Sequence, residues 1–168
     1  TYRQTSLDFI KGYGIQALPE SPSPSVEAGR QMGFEYLYKG DLTKTIYPEQ
    51  MFDLAVCLSV IEHGVDIEQF FLEAYRLLKP GGILFITTDY WQDKINIKHD
   101  DRPFNLNWDI FCKKEAEDII GLAAKQGFFL YEEENSIIPA CLDKCIAWNN
   151  QEYTFLAMAF KKQSGHIK

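Results

Sequence analysis

The middle of the chain combines two hydrophobic patterns that predict different elements. Residues 54–58 form a continuous apolar run with polar residues on both sides. A short run of this kind predicts a strand covered on both faces, as in a parallel sheet. Residues 67–78 then place apolar side chains at helical spacing, and residues 83–88 form a second apolar run. The pattern therefore predicts a right-handed unit of strand, crossover helix and parallel strand.

Local signals support the ends of the predicted helix. Asp66 is suited to the N-cap, with Gln69 at the position expected for a capping box. Residues 79–82, Lys-Pro-Gly-Gly, favour a helix end followed by a turn. Elsewhere the pattern predicts helices within residues 1–14, 23–33 and 113–126, strands at residues 15–18, 34–38, 128–134 and 153–161, and irregular chain at residues 137–151.

Composition and charge restrict the class of protein. The 168 residues are 46% hydrophobic and 24% charged, which is ordinary for a single globular domain. A net charge of −7 argues against a nucleic-acid partner, and no apolar run approaches the length of a membrane span. The four cysteines follow no disulfide framework or metal-ligand spacing. We therefore expect a cytoplasmic protein without a bound metal.

Three motifs in order carry a resemblance to a known family. They are Asp53 after an aromatic residue, Ile-Glu-His at residues 61–63, and Leu-Lys-Pro-Gly-Gly at residues 78–82. This combination resembles the small-molecule branch of the class I S-adenosylmethionine-dependent methyltransferases. The resemblance implies an α/β Rossmann-like fold, mostly parallel with an antiparallel last strand beside residues 84–87. It also implies S-adenosylmethionine as cofactor and a small-molecule acceptor. The alternative is a generic Rossmann-like unit in which Pro-Gly-Gly is only a turn.

The resemblance also assigns cofactor-binding residues. Glu20, after a predicted strand, corresponds to the acidic residue that binds the ribose hydroxyls, although a solvated loop glutamate is an open alternative. Asp41 corresponds to the residue near the adenine amino group, with the backbone N–H of Leu42 beside it. A turn role for Asp41 is equally open. Leu58 and Ser59 would lie beside the reacting methyl group.

Residues that follow the two central strands are candidates for contact with the methyl acceptor. His63 is a candidate general base because its ordinary pKa is near neutral, and the alternative is a hydrogen bond to a neighbouring loop. Asp89, Tyr90 and Trp91 follow the second strand at the edge where such folds bind ligands. They are candidates for contact with the substrate, and packing beneath the loop that leads to Trp108 is the alternative.

The glycine-rich first motif of the family, Gly-x-Gly-x-Gly, is missing from the sequence. Residues 7–14 are either a degenerate copy, with Ile10 in place of the first glycine, or the end of a helix whose preceding strand lies upstream of Thr1. The spacing favours the second interpretation, so we expect an N-terminally incomplete fragment that lacks its first strand. Loss of that strand would leave a sheet edge unpaired, which favours association into a homo-oligomer. Two functions stay open: methyl transfer, and a non-catalytic methyltransferase-like binding or partner module.

Overall fold

The computed structural model describes residues 14–16, 31, 33, 37–102, 107–131, 138 and 143–165. The chain divides into two compact units, Thr1–Thr45 and Ile46–Lys168. In the first unit, strands β1 (Gly14–Gln16) and β2 (Leu37–Lys39) pair in parallel. Strands were predicted close to both positions. The helices predicted within residues 1–14 and 23–33 lie almost wholly outside the described residues, and a single domain over the whole chain stays a prediction.

The second unit contains a five-stranded mixed sheet. Strands β3 (Phe52–Leu58), β4 (Leu78–Tyr90), β7 (Gln151–Lys162) and β5 (Phe128–Leu130) follow one another in that order, and β6 (Ile146–Trp148) pairs with β7 outside this path. The β3–β4 pair is parallel and the β4–β7 pair is antiparallel, which confirms both predictions. The elements in chain order are β3 (Phe52–Leu58), α1 (Ile67–Leu77), β4 (Leu78–Tyr90), a 3₁₀ turn (His99–Asp101), α2 (Lys113–Lys125), β5 (Phe128–Leu130), β6 (Ile146–Trp148) and β7 (Gln151–Lys162).

Helix α1 begins and ends where the local signals predicted. The Asp66 side chain accepts a hydrogen bond of 3.1 Å from the backbone N–H of Gln69, which is an N-cap. Phe71 is fully buried and packs against aromatic rings from β5 and β7. At the other end, the buried Lys162 ammonium donates to the carbonyls of Tyr75 and Leu78, at 2.7 and 2.8 Å. It thereby satisfies helix-end carbonyls that would otherwise lack a partner.

The predicted turn at residues 80–82 forms an irregular segment within β4. Pairing with β3 jumps from Phe52↔Leu78 to Leu54↔Ile83. Gly81 has a φ of +79°, a left-handed conformation that favours glycine. A Cβ on Gly82 would lie 2.9 Å from a backbone oxygen. Two glycines are therefore needed where the chain leaves α1 and enters the sheet.

Burial of β3 on both faces was a wrong prediction. Leu54, Val56 and Leu58 have exposed fractions of 55%, 54% and 56%. In the described part of the chain, β3 pairs on one side only, with β4. The apolar run correctly indicated a strand, but coverage of its face depends on other segments and is not encoded in the run itself.

Two further segments are more ordered than the sequence indicated. Residues 137–151 were predicted to be irregular, whereas β6 lies there and forms an antiparallel hairpin with β7. Asn149 and Asn150 form the turn with φ values of 44° and 60°, a conformation that asparagine tolerates. The long loop after β4 contains the 3₁₀ turn and an isolated bridge between Ile95 and Ile110. Among the described residues, no helix has the length and apolar character needed to cross a bilayer.

Candidate active site

Residues 107–111 cross the carboxyl-terminal ends of β3 and β4. The N–H of Asp109 donates to the carbonyl of Glu62 at 2.9 Å, and the N–H of Phe111 donates to the carbonyl of Asp89 at 3.0 Å. Both accepting residues follow or end parallel strands that finish at the same sheet edge. One short segment therefore closes the edge where α/β folds bind ligands.

Glu62 is a carboxyl group buried beneath this segment. It is 1% exposed, and its Oε2 accepts a hydrogen bond of 3.2 Å from the Thr88 hydroxyl. Its Oε1 has no hydrogen-bond partner within the part of the chain that the structure describes. Burial, with a further contribution from the nearby Asp89 charge, raises the pKa of Glu62 to about 7. Glu62 is therefore partly protonated at neutral pH.

Asp89 is the second buried carboxyl group at this edge. It is 4% exposed, and its Oδ2 accepts a 2.7 Å hydrogen bond from the indole N–H of Trp108. Burial raises the pKa of Asp89, whereas the Trp108 hydrogen bond and the nearby charge of His63 act in the opposite direction. The adjacent Tyr153 is buried, and its pKa is raised chiefly by burial and then by the Asp89 charge. Asp89 thus anchors side chains from two distant segments.

His63 is held in one orientation by the crossing segment. Its Nδ1 lies 3.0 Å from the carbonyl oxygen of Asn107. A carbonyl only accepts hydrogen bonds, so Nδ1 carries the proton and Nε2 of the neutral ring is left as an acceptor. Gly64 allows this close approach, because a Cβ there would lie 2.8 Å from Asn107 Nδ2 and the residue has a φ of +77°. His63 therefore makes the hydrogen bond to a neighbouring loop that the sequence offered as its alternative role. The same geometry leaves Nε2 as the proton-accepting atom of the neutral ring, and the role of general base stays a prediction.

Leu58 ends β3, and Ser59 follows it at the same edge. The Leu58 side chain is exposed, and Ser59 has a φ of +50°, which is unusual for a residue other than glycine. The N–H of Ser59 donates to the Thr87 carbonyl at 3.0 Å and also contacts the Thr87 hydroxyl at 3.1 Å. Contact of Leu58 and Ser59 with the cofactor's methyl group stays a prediction.

The predicted substrate residues differ in access. Asp89 and Tyr90 are buried, and the Tyr90 hydroxyl has no hydrogen-bond partner among the described residues. Trp91 is half-buried, and the Lys144 ammonium lies 4.8 Å from the centre of its ring. Trp91 is thus the member of this trio with an accessible side chain, and contact of all three with a substrate stays a prediction.

The adenine-side candidates belong to the first unit. Oδ1 of Asp41 accepts from the N–H and the hydroxyl of Thr43, at 2.8 and 2.7 Å, in a local turn. Leu42 lies within that turn. Glu20 lies outside the described residues. The cofactor roles of all three stay predictions. Across the described ranges, no group of three or more histidine, cysteine or carboxylate side chains is arranged to hold a metal ion.

Sequence reasoning assigned no role to three residues of this site. Glu62 was recognised as part of a motif, and a charged residue next to a predicted buried strand was a usable signal. Trp108 and Tyr153 reach the site from segments far along the chain. Nothing in their local sequence indicates a contact with Asp89.

Comparison with known proteins agrees with this geometry. Residues 15–86 match the family described as "Methyltransferase domain". Together with the motifs, the match identifies residues 15–86 as part of a class I S-adenosylmethionine-dependent methyltransferase domain. S-adenosylmethionine is the cofactor of this class.

Individual relatives resemble only part of the chain in sequence. Two ubiquinone biosynthesis O-methyltransferases, from Rickettsia prowazekii and Rickettsia canadensis, are 30% and 28% identical to it over 74 residues. The matched region covers 44% of this chain and 29% and 31% of those proteins. It therefore spans about three-tenths of the length of these curated relatives.

Solved structures resemble the whole fold at low sequence identity. A methyltransferase from Mesorhizobium loti matches with a TM-score of 0.60 and 13% identity, covering 96% of this chain and 85% of that one. Phosphoethanolamine N-methyltransferase 2 from Haemonchus contortus, solved with S-adenosyl-L-methionine, matches with a TM-score of 0.61 and 14% identity. That match covers 96% of this chain and 46% of the other. These likenesses establish the fold.

The raised pKa of Glu62 predicts a specific pH dependence of stability. Folded Glu62 holds its proton up to about pH 7, whereas the ordinary value is 4.5. Between these values the folded chain binds more protons than the unfolded chain, so the free energy of unfolding falls as pH rises. This group contributes about 3 kcal/mol to that fall, and its contribution is fully retained below the ordinary pKa.

Glu62→Gln removes the titrating group while preserving its shape, so the variant should lose less stability than the parent between pH 5 and 8. Urea denaturation at the two pH values measures the difference. Glu117→Gln, at an exposed position on α2, is the matched control and should behave as the parent does. An unchanged pH dependence in Glu62→Gln would contradict the assignment.

Proposed function

We propose that this chain contributes to methyl transfer from S-adenosylmethionine to a hydroxyl or amine of a small molecule, at the carboxyl-terminal edge of β3 and β4. The single observation that carries the proposal is the orientation of His63. Its Nδ1 faces the Asn107 carbonyl at 3.0 Å, which leaves Nε2 as the proton-accepting atom, and the ring is near enough to the buried Asp89 to act on its charge. This arrangement suits a general base at the acceptor side.

When bound, the cofactor supplies an activated methyl group on its sulfonium. The protein then needs to align the acceptor, exclude water and, for a hydroxyl acceptor, take up a proton. His63 would receive that proton at Nε2. The resulting imidazolium is stabilised by the nearby Asp89 carboxylate, which Trp108 holds in place through a hydrogen bond of 2.7 Å. Asp89 is thus a positioning residue, and His63 is the candidate catalytic residue.

An oxygen acceptor has the better support. The Rickettsia relatives are named O-methyltransferases, and their similarity to this chain covers 74 residues. A hydroxyl acceptor must give up its proton when the new bond to the methyl group forms, which agrees with a base at this edge. Trp91, half-buried beside Lys144, provides an aromatic face for a planar acceptor. We place the protein in the cytoplasm on the basis of its cysteine pattern.

A non-catalytic binding or partner module is the second candidate function. One observation favours it: the exposed apolar side chains of β3, which would suit contact with another polypeptide. The sequence also lacks the glycine-rich loop that brings the backbone close to the cofactor. The affinity of this polypeptide for the cofactor distinguishes the two candidate functions.

We expect this polypeptide to bind the cofactor product weakly. Without a Gly-x-Gly-x-Gly loop, half of the cofactor contacts implied by the family are missing. Titration calorimetry with S-adenosylhomocysteine should give a dissociation constant well above the low micromolar range. A low micromolar constant would overturn the expectation and show that residues 7–14 build a working loop. Joining an upstream strand and glycine loop to the chain should strengthen binding, and Glu20→Ala should weaken it in that joined form.

His63→Asn should lower methyl transfer by about 10²–10⁴-fold, because it removes the proton-accepting Nε2 while keeping a polar group beside Asn107. The assay follows transfer of labelled methyl groups, at millimolar S-adenosylmethionine, to a panel of phenols, sugars and amines. The form carrying the added glycine loop is tested alongside the chain. His99→Asn is the control, since His99 is 80% exposed in the 3₁₀ turn. Transfer at the parent rate in His63→Asn, or an equal loss in His99→Asn, would exclude the base role.

A further inference from the structure

A cleft lies in the second unit beside the β6–β7 hairpin. Among the described residues it is lined by Ile95 from the loop after β4, and by Lys144 and residues 147–152 from the hairpin. We call it the hairpin cleft. Its volume is about 660 Å³, which lies in the range of sites that bind small molecules. The size of the hairpin cleft therefore suits a small organic ligand.

Asp101 joins the hairpin to the loop that forms the other wall of the cleft. Its Oδ1 accepts a hydrogen bond of 2.9 Å from the side-chain amide of Asn150, and its Oδ2 accepts one of 3.4 Å from that of Gln151. The Asn149 amide donates to the Asp101 carbonyl at 3.4 Å. These contacts fix the hairpin turn to the loop before a ligand enters, which lowers the cost of ordering the site on binding.

The two faces of the hairpin differ in charge. Trp148 lies opposite Gln151, and Ala147 lies opposite Glu152. Side chains alternate between the faces of a strand, so Glu152 projects from the face opposite to that of Trp148. The Trp148 ring lies on the side of the buried Trp108, with 5.3 Å between the ring centres. The Glu152 carboxylate is therefore directed away from the aromatic side of the hairpin.

Lys144 supplies a positive charge on the aromatic side. Its Nζ lies 4.8 Å from the centre of the Trp91 ring, and the residue is exposed. Within the described ranges, no carboxylate lies within ion-pair distance of this ammonium. A contact with a ring face leaves ammonium N–H groups available to an anion. Trp148, which is 41% exposed, adds a second accessible aromatic side chain.

Two contacts connect these aromatic side chains to the carboxyl-terminal edge of the sheet. Trp91 directly follows β4, and its N–H donates to the Phe111 carbonyl at 3.0 Å. Trp148 packs on Trp108, whose indole N–H donates to Asp89 at 2.7 Å. The residues of the hairpin cleft are thus in contact with the residues that close the edge where α/β folds bind ligands.

We propose that the hairpin cleft binds a planar aromatic ligand that carries a negative charge, with the ring beside Trp148 and the anionic group at the Lys144 ammonium. A charge-assisted hydrogen bond holds the anion, and contact between the rings holds the aromatic part. Identification of this ligand as the methyl acceptor rests on the function proposed above, whereas its binding does not. Neutral aromatic molecules lack the first contact and aliphatic anions lack the second.

Titration calorimetry of the full chain with cinnamate and the neutral cinnamamide tests this proposal. Cinnamate should bind about fivefold more tightly, because an exposed charge pair contributes up to about that factor. Lys144→Gln should remove the preference and leave cinnamamide binding unchanged. Lys125→Gln, at an exposed lysine of α2 outside the cleft, is the matched control and should behave as the parent does. Trp148→Leu should weaken the binding of both probes, and circular dichroism checks that it is folded.

Neither probe carries a hydroxyl or an amine, and no cofactor is added. The result is therefore independent of methyl transfer, which the His63→Asn assay tests. Equal affinity of the parent for the two probes, no binding of cinnamate at millimolar concentration, or equal losses in Lys144→Gln and Lys125→Gln would overturn the proposal. Tighter binding of cinnamylammonium than of cinnamate would assign the cleft to a cation beside Glu152 and would also overturn it.

Discussion

Two carboxyl groups buried at neighbouring strand ends constrain the rest of this site. Glu62 and Asp89 are almost inaccessible to water, and a buried carboxyl group is costly unless it is hydrogen-bonded or protonated. Asp89 is stabilised by the Trp108 indole, whereas Glu62 accepts a 3.2 Å hydrogen bond from Thr88 and has a pKa raised to about 7. The segment that buries them, residues 107–111, is tied to both strands by main-chain hydrogen bonds. The burial of the two carboxyl groups, the raised pKa of Glu62 and the position of residues 107–111 therefore depend on one another.

That arrangement determines the chemistry available at the edge. The crossing segment fixes His63 through Asn107, and Gly64 provides the space for the contact. A protonated Glu62 would leave Asp89 as the nearby negative charge at this edge. The carboxyl groups themselves are too buried to meet an acceptor directly. Asp89 holds the Trp108 indole through a hydrogen bond of 2.7 Å.

Much of the fold followed from local sequence, because the central strands, helix α1 and its N-cap depend on short-range patterns. The Asp66 cap and the Pro-Gly-Gly segment are examples. The burial of strand faces and the contacts between distant residues could not be predicted from local sequence. Leu54 and Val56 look buried in sequence and are exposed in the fold, since no local signal reports what packs on a strand. Trp108 reaches Asp89 across 19 positions of the chain, through a loop that sequence alone left without structure.

The tautomer of His63 tests the central claim most directly. Nitrogen-15 correlation spectra of the neutral ring distinguish a proton on Nδ1 from one on Nε2 without a substrate or cofactor. The account predicts the Nδ1–H form, because Nδ1 donates to the Asn107 carbonyl at 3.0 Å. A predominant Nε2–H form would contradict it, since the proton-accepting nitrogen would then be Nδ1, which faces the Asn107 carbonyl, and the proposed base at Nε2 would be lost.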